Sequence, residues 1–145
     1  MILVFGGTTE GRLVARVLEE AGKPFLYSTK GEEQEMELVH GKRLCGAMNE
    51  EAMADCCSEV SVRLIVDAAH PFAVQLHQTI AAVAARLSLP VIRYERKYPP
   101  RNPDFVWCDD YADAMQKMEL AGVSRLLAWT GVNTIHPLRP FWSVA

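Results

Sequence analysis

A short apolar run, Ile2-Leu3-Val4-Phe5, breaks at Gly6-Gly7. Within a few residues it gives way to a helical repeat, Leu13, Val14, Val17, Leu18 and Ala21, closed by Gly22. No other feature narrows the fold of this chain as much. An uninterrupted apolar run of that length fits a strand buried on both faces, and apolar residues three and four apart fit a helix laid on it. A strand, a glycine turn and a helix in immediate succession open a right-handed βαβ crossover.

The pattern then repeats. Pro24 to Ser28 reads as a second strand, Glu32 to Val39 as a weaker helical stretch with Met36 and Val39 on its apolar side, and Lys42 to Cys45 as a third strand. Asn49 is placed to cap a helix running to about Ser58, since its side-chain oxygen can accept from the first unpaired backbone N–H groups. Val62 to Val66 forms a fourth strand. From Ala73, the residues Leu76, Ile80, Val83, Ala84 and Leu87 make an amphipathic helix, and Pro90 to Tyr94 a fifth strand. Strands alternating with helices at this spacing imply an α/β fold: a Rossmann-like doubly wound parallel sheet with helices on both faces.

Pro99, Pro100 and Pro103 interrupt that alternation, because proline cannot continue a central strand or a helix interior. We read residues 1–100 as one domain and 101–145 as a linker with the start of a second α/β domain. That start comprises Phe105-Val106-Trp107, a helix from Tyr111 to Ala121 and a strand at Arg125 to Ala128. It is too short to complete an α/β unit, so the chain reads as a truncated form of a longer protein.

Of the 145 residues, half are apolar and 23% charged, which excludes a disordered or collagen-like chain. The net charge of −3 gives no concentrated basic footprint for nucleic acid. No apolar run approaches the ~20 residues of a membrane span, and no basic leader precedes Ile2. Cys45, Cys56, Cys57 and Cys108 lack metal spacing, and His40, His77 and His136 add none, so no metal site is expected. Free thiols and the missing leader point to a cytoplasmic protein. Charge is nonetheless uneven: residues 1–60 carry −5, residues 61–103 carry +4 and the remainder −2. Four bases, Arg93, Arg96, Lys97 and Arg101, fall within nine residues. They form either a solvated loop or a site for an anionic small molecule at the carboxyl edge of the sheet, where open α/β sheets bind ligands.

Three segments carry candidate chemistry. In Gly6-Gly7-Thr8-Thr9-Glu10-Gly11-Arg12, Gly6 permits the turn and Gly7 lets a phosphate approach the backbone. Gly11 lets the helix pack on the strand, and the helix N-terminus offers N–H groups to a pyrophosphate. Thr8 stands where the usual spacing has its second glycine. No Gly-Lys-Ser/Thr follows, so this is not an ATPase-type phosphate loop; a ligand-free turn is the alternative. At the end of the second strand, Ser28, Thr29 and Lys30 replace the acid that NAD sites place there, and the first acid, Glu32, lies beyond it. Hydroxyls and a cation suit a 2′-phosphate, which favours NADPH. In Asp67-Ala68-Ala69-His70-Pro71-Phe72-Ala73, small residues allow close approach of a ligand. Asp67 can accept from a ribose or cap the next helix, and His70 can donate to a substrate, or simply pack.

These residues resemble the precorrin-6A and cobalt-precorrin-6A reductases of cobalamin biosynthesis. The likeness is carried by residues 6–12, residues 67–73, Arg93-Tyr94-Glu95-Arg96 and Thr130-Gly131-Val132, in order along the whole chain. It implies NADPH-dependent reduction of one ring double bond in a carboxylate-rich tetrapyrrole, bound between two Rossmann-like halves. Gly6, Gly7, Thr8, Thr9, Gly11, Ser28, Thr29, Lys30, Asp67 and Ala68 would then hold the cofactor. Arg93, Arg96, Arg101, Thr130 and Gly131 would face the substrate, and His70 would be the candidate acid. On this reading, removing Arg96 weakens substrate and leaves NADPH affinity nearly unchanged. The competing readings are an NADPH-dependent reductase of another small anionic substrate and a dinucleotide-sensing domain without chemistry. The first has no Tyr-x-x-x-Lys pair to support it, and the second leaves the arginine cluster idle.

Overall fold

The computed structural model describes residues 1–31, 36–131 and 134–139. Two compact units divide the chain, Met1–Lys97 and Tyr98–Ala145. The first contains β1 (Ile2–Phe5), α1 (Thr9–Glu20), β2 (Phe25–Thr29), β3 (Gly41–Cys45), α2 (Glu50–Glu59), β4 (Leu64–Asp67), α3 (Val74–Leu87) and β5 (Val91–Arg93). All strand pairs are parallel, in the order β3-β2-β1-β4-β5. Strand order reverses at β1, so the carboxyl ends of β1 and β4 flank the crevice where such sheets bind ligands.

Alternate residues of the buried strands face opposite sides of the sheet. Leu3, Phe5, Leu26 and Ile65 pack with Met53 and Cys57 of α2 and Ile80 and Val83 of α3. Val4, Phe25, Tyr27 and Val66 pack on the other side with Ala15 of α1. Two helices on one face and one on the other make the sheet doubly wound. Thr8 and Asn49 cap α1 and α2 by accepting from the backbone N–H of Gly11 and Ala52. The four cysteines are free thiols, and burial pushes Cys57 up to about 11, with Cys56 adding to the shift. Among the described residues, no His, Cys, Asp and Glu cluster could hold a metal and no helix is long and apolar enough to cross a membrane.

Two elements differ from the reading of the sequence. The helix expected over Glu32 to Val39 has its first four residues outside the described part, and residues 36–40 are not helical. Met36 and Leu38 still cover the α1 side of the sheet. The backbone N–H groups of Val39, His40 and Gly41 donate to the Glu19 carboxylate at 3.1, 3.0 and 2.9 Å, which ties the segment's end and the start of β3 to α1.

In the second unit, α4 (Tyr111–Leu120) forms as the periodicity predicts, with Asp110 as its cap. The strand expected at 125–128 does not form: residues 123–129 have no regular structure. A strand exists through its hydrogen-bonded neighbour, and this segment pairs with no strand among the described residues.

Candidate functional site

The glycine turn between β1 and α1 is built around the Tyr27 ring. A Cβ on Gly6 would run into that ring, and one on Gly11 would lie 2.7 Å from Gly6 Cα and 2.8 Å from Tyr27 Oη. No side chain fits at either position. Gly7 differs: its φ is +87° and the space beside its Cα is open. Its N–H donates to Tyr27 Oη at 3.3 Å. Burial raises the Tyr27 pKa more than the Gly7 N–H, Arg12 and Arg43 lower it, so the ring stays a neutral phenol.

Thr8 explains the departure from the usual glycine spacing. Its hydroxyl accepts from Gly11 N at 2.9 Å and donates to the Ala68 carbonyl at 2.6 Å. One buried side chain thus caps α1 and ties the glycine turn to the segment after β4, which glycine could not do. Thr9 is exposed beside it. At the end of β2, Ser28 and Thr29 are buried. The Thr29 hydroxyl donates to Gly31 O at 2.8 Å, and Lys30 is exposed. Glu32 lies outside the described residues.

Across the crevice, charge replaces close backbone packing. Asp67 is buried at the end of β4, and its Oδ1 accepts from Ala69 N at 3.2 Å. Its Oδ2 lies 2.7 Å from Arg93 Nη1 and 2.8 Å from His77 Nδ1. Arg93 Nη1 is also 2.6 Å from His77 Nδ1, while His77 Nε2 is 3.0 Å from the His70 carbonyl. A carbonyl only accepts, so the proton belongs on Nε2. Nδ1 faces both the Asp67 carboxylate and the Arg93 guanidinium. The outer side of Arg93 donates through Nε and Nη2 to Glu95. Partial burial works against the charge on Arg93, but Glu95 and Asp67 outweigh it and raise its pKa.

His70 is exposed, and its Nδ1 accepts from Phe72 N at 3.2 Å. That contact leaves the proton on Nε2, so His70 presents an N–H to solvent. Arg96 Nη2 donates to Glu10 Oε2 at 3.0 Å. Both residues belong to the first unit, whereas the remaining candidates lie in the second. There, Arg101 stacks 5.0 Å from the Trp107 ring centroid. The hydroxyl of Thr134 lies 2.5 Å from that of Thr130 and donates to Gly131 O at 2.7 Å. Val132 is outside the described residues.

The fold therefore brings Gly6, Gly7, Thr8, Gly11, Asp67 and Ala68 to the crevice, with His70 at its rim. Reasoning from the sequence missed His77, Glu10 and Arg43. The spacing of the histidines speaks only to metal binding, whereas the place of His77 in the first turn of α3 sets it near the end of β4. Arg43 pairs in register with Tyr27, and its Nε and Nη2 are buried with no hydrogen-bond partner among the described residues. Nothing in its local sequence signals that burial.

Residues 1–144 match the family model described as "Precorrin-6x reductase CbiJ/CobK". The chain is 35% identical over 98 residues to a cobalt-precorrin-6A reductase of Priestia megaterium, covering 66% of this chain and 38% of that protein. It is 32% identical over 148 residues to a precorrin-6A reductase of Rhodococcus erythropolis, covering 97% and 59%. It thus spans less than two-thirds of the length of either relative. A solved CobK precorrin-6A reductase superimposes with a TM-score of 0.66 at 25% identity, over 77% of this chain and 46% of that one. The Shewanella denitrificans Kef CTD in AMP-bound form shares the fold alone, with a TM-score of 0.53 at 15% identity over 84% and 67%.

Proposed function

The chain belongs to the precorrin-6x reductase family, and from that premise we propose that it carries the NADPH-binding part of a reductase acting on precorrin-6A or its cobalt form in cobalamin biosynthesis. The observation that carries the cofactor reading is the open, positive-φ Gly7 at the head of α1. A dinucleotide pyrophosphate needs such a cradle, where backbone and helix dipole meet it without a side chain between. The residues present fit the group. Gly6, Gly7, Thr8, Thr9 and Gly11 would hold the pyrophosphate. Asp67 and Ala68 line the crevice beside it, and Ser28, Thr29 and Lys30 follow β2 where the adenosine ribose of such cofactors lies. Lys30, exposed and cationic, would meet the 2′-phosphate, with the two hydroxyls behind it.

When bound, the nicotinamide supplies a hydride to one ring double bond of the tetrapyrrole. The chain's own residues bind and orient the substrate and move the proton. His70 is our candidate donor, because the Phe72 N–H occupies its Nδ1 and orients the exposed ring with Nε2 outward. Arg93 and Arg96 would take substrate carboxylates by exchange with Glu95 and Glu10, and Glu95 is exposed enough to be displaced at little cost. Arg101, Thr130 and Gly131, in the second α/β domain that we read as beginning after about residue 100, are further candidates for contact with substrate. We read the protein as cytoplasmic.

Isothermal titration of this chain with NADPH and NADH tests the cofactor reading. We expect NADPH to bind about tenfold tighter, as one added charge-assisted contact would give. Equal affinities would remove the 2′-phosphate role of residues 28–30, and no binding of either would sink the cofactor reading.

A further inference from the structure

Arg96 is expected from the sequence to serve the substrate alone, yet the fold sends it to the glycine turn. Tyr94 N donates to Asp67 O at 2.9 Å, which fixes the path of the chain as it leaves β5. Arg93 is anchored on Asp67. Three residues on, Arg96 reaches Glu10 in the first turn of α1, 86 residues away in sequence. The Glu10 side chain is only 13% exposed and that of Arg96 47%.

Glu10 is an awkward residue for a phosphate-binding turn. Its carboxylate sits on the helix end whose dipole would stabilise a pyrophosphate, and it repels one. Protonation does not relieve this. The Arg96 hydrogen bond first, and then its own backbone N–H, hold the Glu10 pKa below the ordinary carboxylate value. Its charge is offset by the Arg96 guanidinium.

We propose that Arg96 is a positioning residue for the cofactor: by pairing with Glu10 it cancels a negative charge beside the glycine turn and so sets the affinity of this chain for the dinucleotide phosphates. The proposal rests on the cofactor reading above. It also makes one cation common to both ligands, since a substrate carboxylate that draws Arg96 away uncovers Glu10 beside the cofactor.

The test is a double-mutant cycle on NADPH affinity, measured by titration with the unaltered chain, Arg96→Ala, Glu10→Gln and the double variant, with Arg96→Lys as the conservative control. Arg96→Ala should weaken NADPH about fivefold, by an amount that shrinks with added salt. Glu10→Gln alone should tighten binding. The double variant should return to within about twofold of the unaltered chain, and Arg96→Lys should stay close to it. Equal thermal midpoints across the set exclude a folding defect as the cause. A loss in Arg96→Ala that Glu10→Gln does not rescue would mean direct contact with the ligand and would overturn the proposal, as would no loss at all. If the unaltered chain binds no NADPH, the cofactor reading fails first and is recognised as the cause.

Discussion

At the ends of β1 and β2 the chain turns over an aromatic floor, with two glycines pressed on the Tyr27 ring and a threonine hydroxyl bridging two backbone groups. At the ends of β4 and β5, a buried carboxylate gathers an arginine, a histidine and its own downstream N–H. Both edges of the crevice hold backbone loops in place, one by shape and the other by charge. Shape leaves room for a ligand's own charges to be met by backbone and dipole, as a dinucleotide requires. Charge balanced between partners supplies groups that a carboxylate-rich ligand can exchange.

The comparison breaks most visibly at Asp67. Asp67→Ala strands Arg93 and His77 around an empty acceptor site, and we expect a loss of about 3 kcal/mol in urea unfolding. A loss under about 1 kcal/mol would show that the charged edge is held by something other than this carboxylate. Gly6→Ala attacks the other edge. The new methyl has no space against Tyr27, so a cost of about 2 kcal/mol is expected, and NADPH binding should fall with it as the turn shifts.

The smallest effect concerns Glu19, which anchors the start of β3 on the shape-built side. Partial burial disfavours its charge, but the N–H groups of His40, Gly41 and Val39 outweigh that and hold its pKa below the ordinary 4.5. A lowered folded-state pKa means that its stabilisation is complete above 4.5 and is lost as the pH falls through the lower folded value. Glu19→Gln should therefore flatten the acid limb of the stability–pH curve and leave its neutral arm parallel to the original. An unchanged acid limb would show that these N–H groups do not depend on the charge.

Much of this was legible in the residues because it was local. Runs such as Ile2 to Phe5 and repeats such as Leu76, Ile80, Val83 and Ala84 announce their own period, and Asn49 announces a helix start. Residues 36–40 failed that test at their end, where a residue on another element, Glu19, takes the N–H groups of Val39 and His40. Residues 125–128 failed it because a strand is a property of pairs, and an apolar run cannot report whether its neighbour exists. The site divides the same way. The glycine turn and the run from Asp67 to Ala73 show themselves as motifs. The Arg96–Glu10 pair and the bridge from Asp67 through Arg93 to His77 join residues 86, 26 and 16 positions apart, and only the closed sheet brings them together.

One consequence of the Asp67 lock concerns β5. That strand is three residues long and exposed along its whole length, so it contributes little apolar burial of its own. What holds it is its ladder to β4, the Arg93 ion pair and the Tyr94 N–H on the Asp67 carbonyl. An edge secured this way opens as a unit. Its amides should exchange with solvent together, ahead of those in β1, whenever the guanidinium lets go. A ligand carboxylate that competes for Arg93 would then act as a latch on the order of the outermost strand.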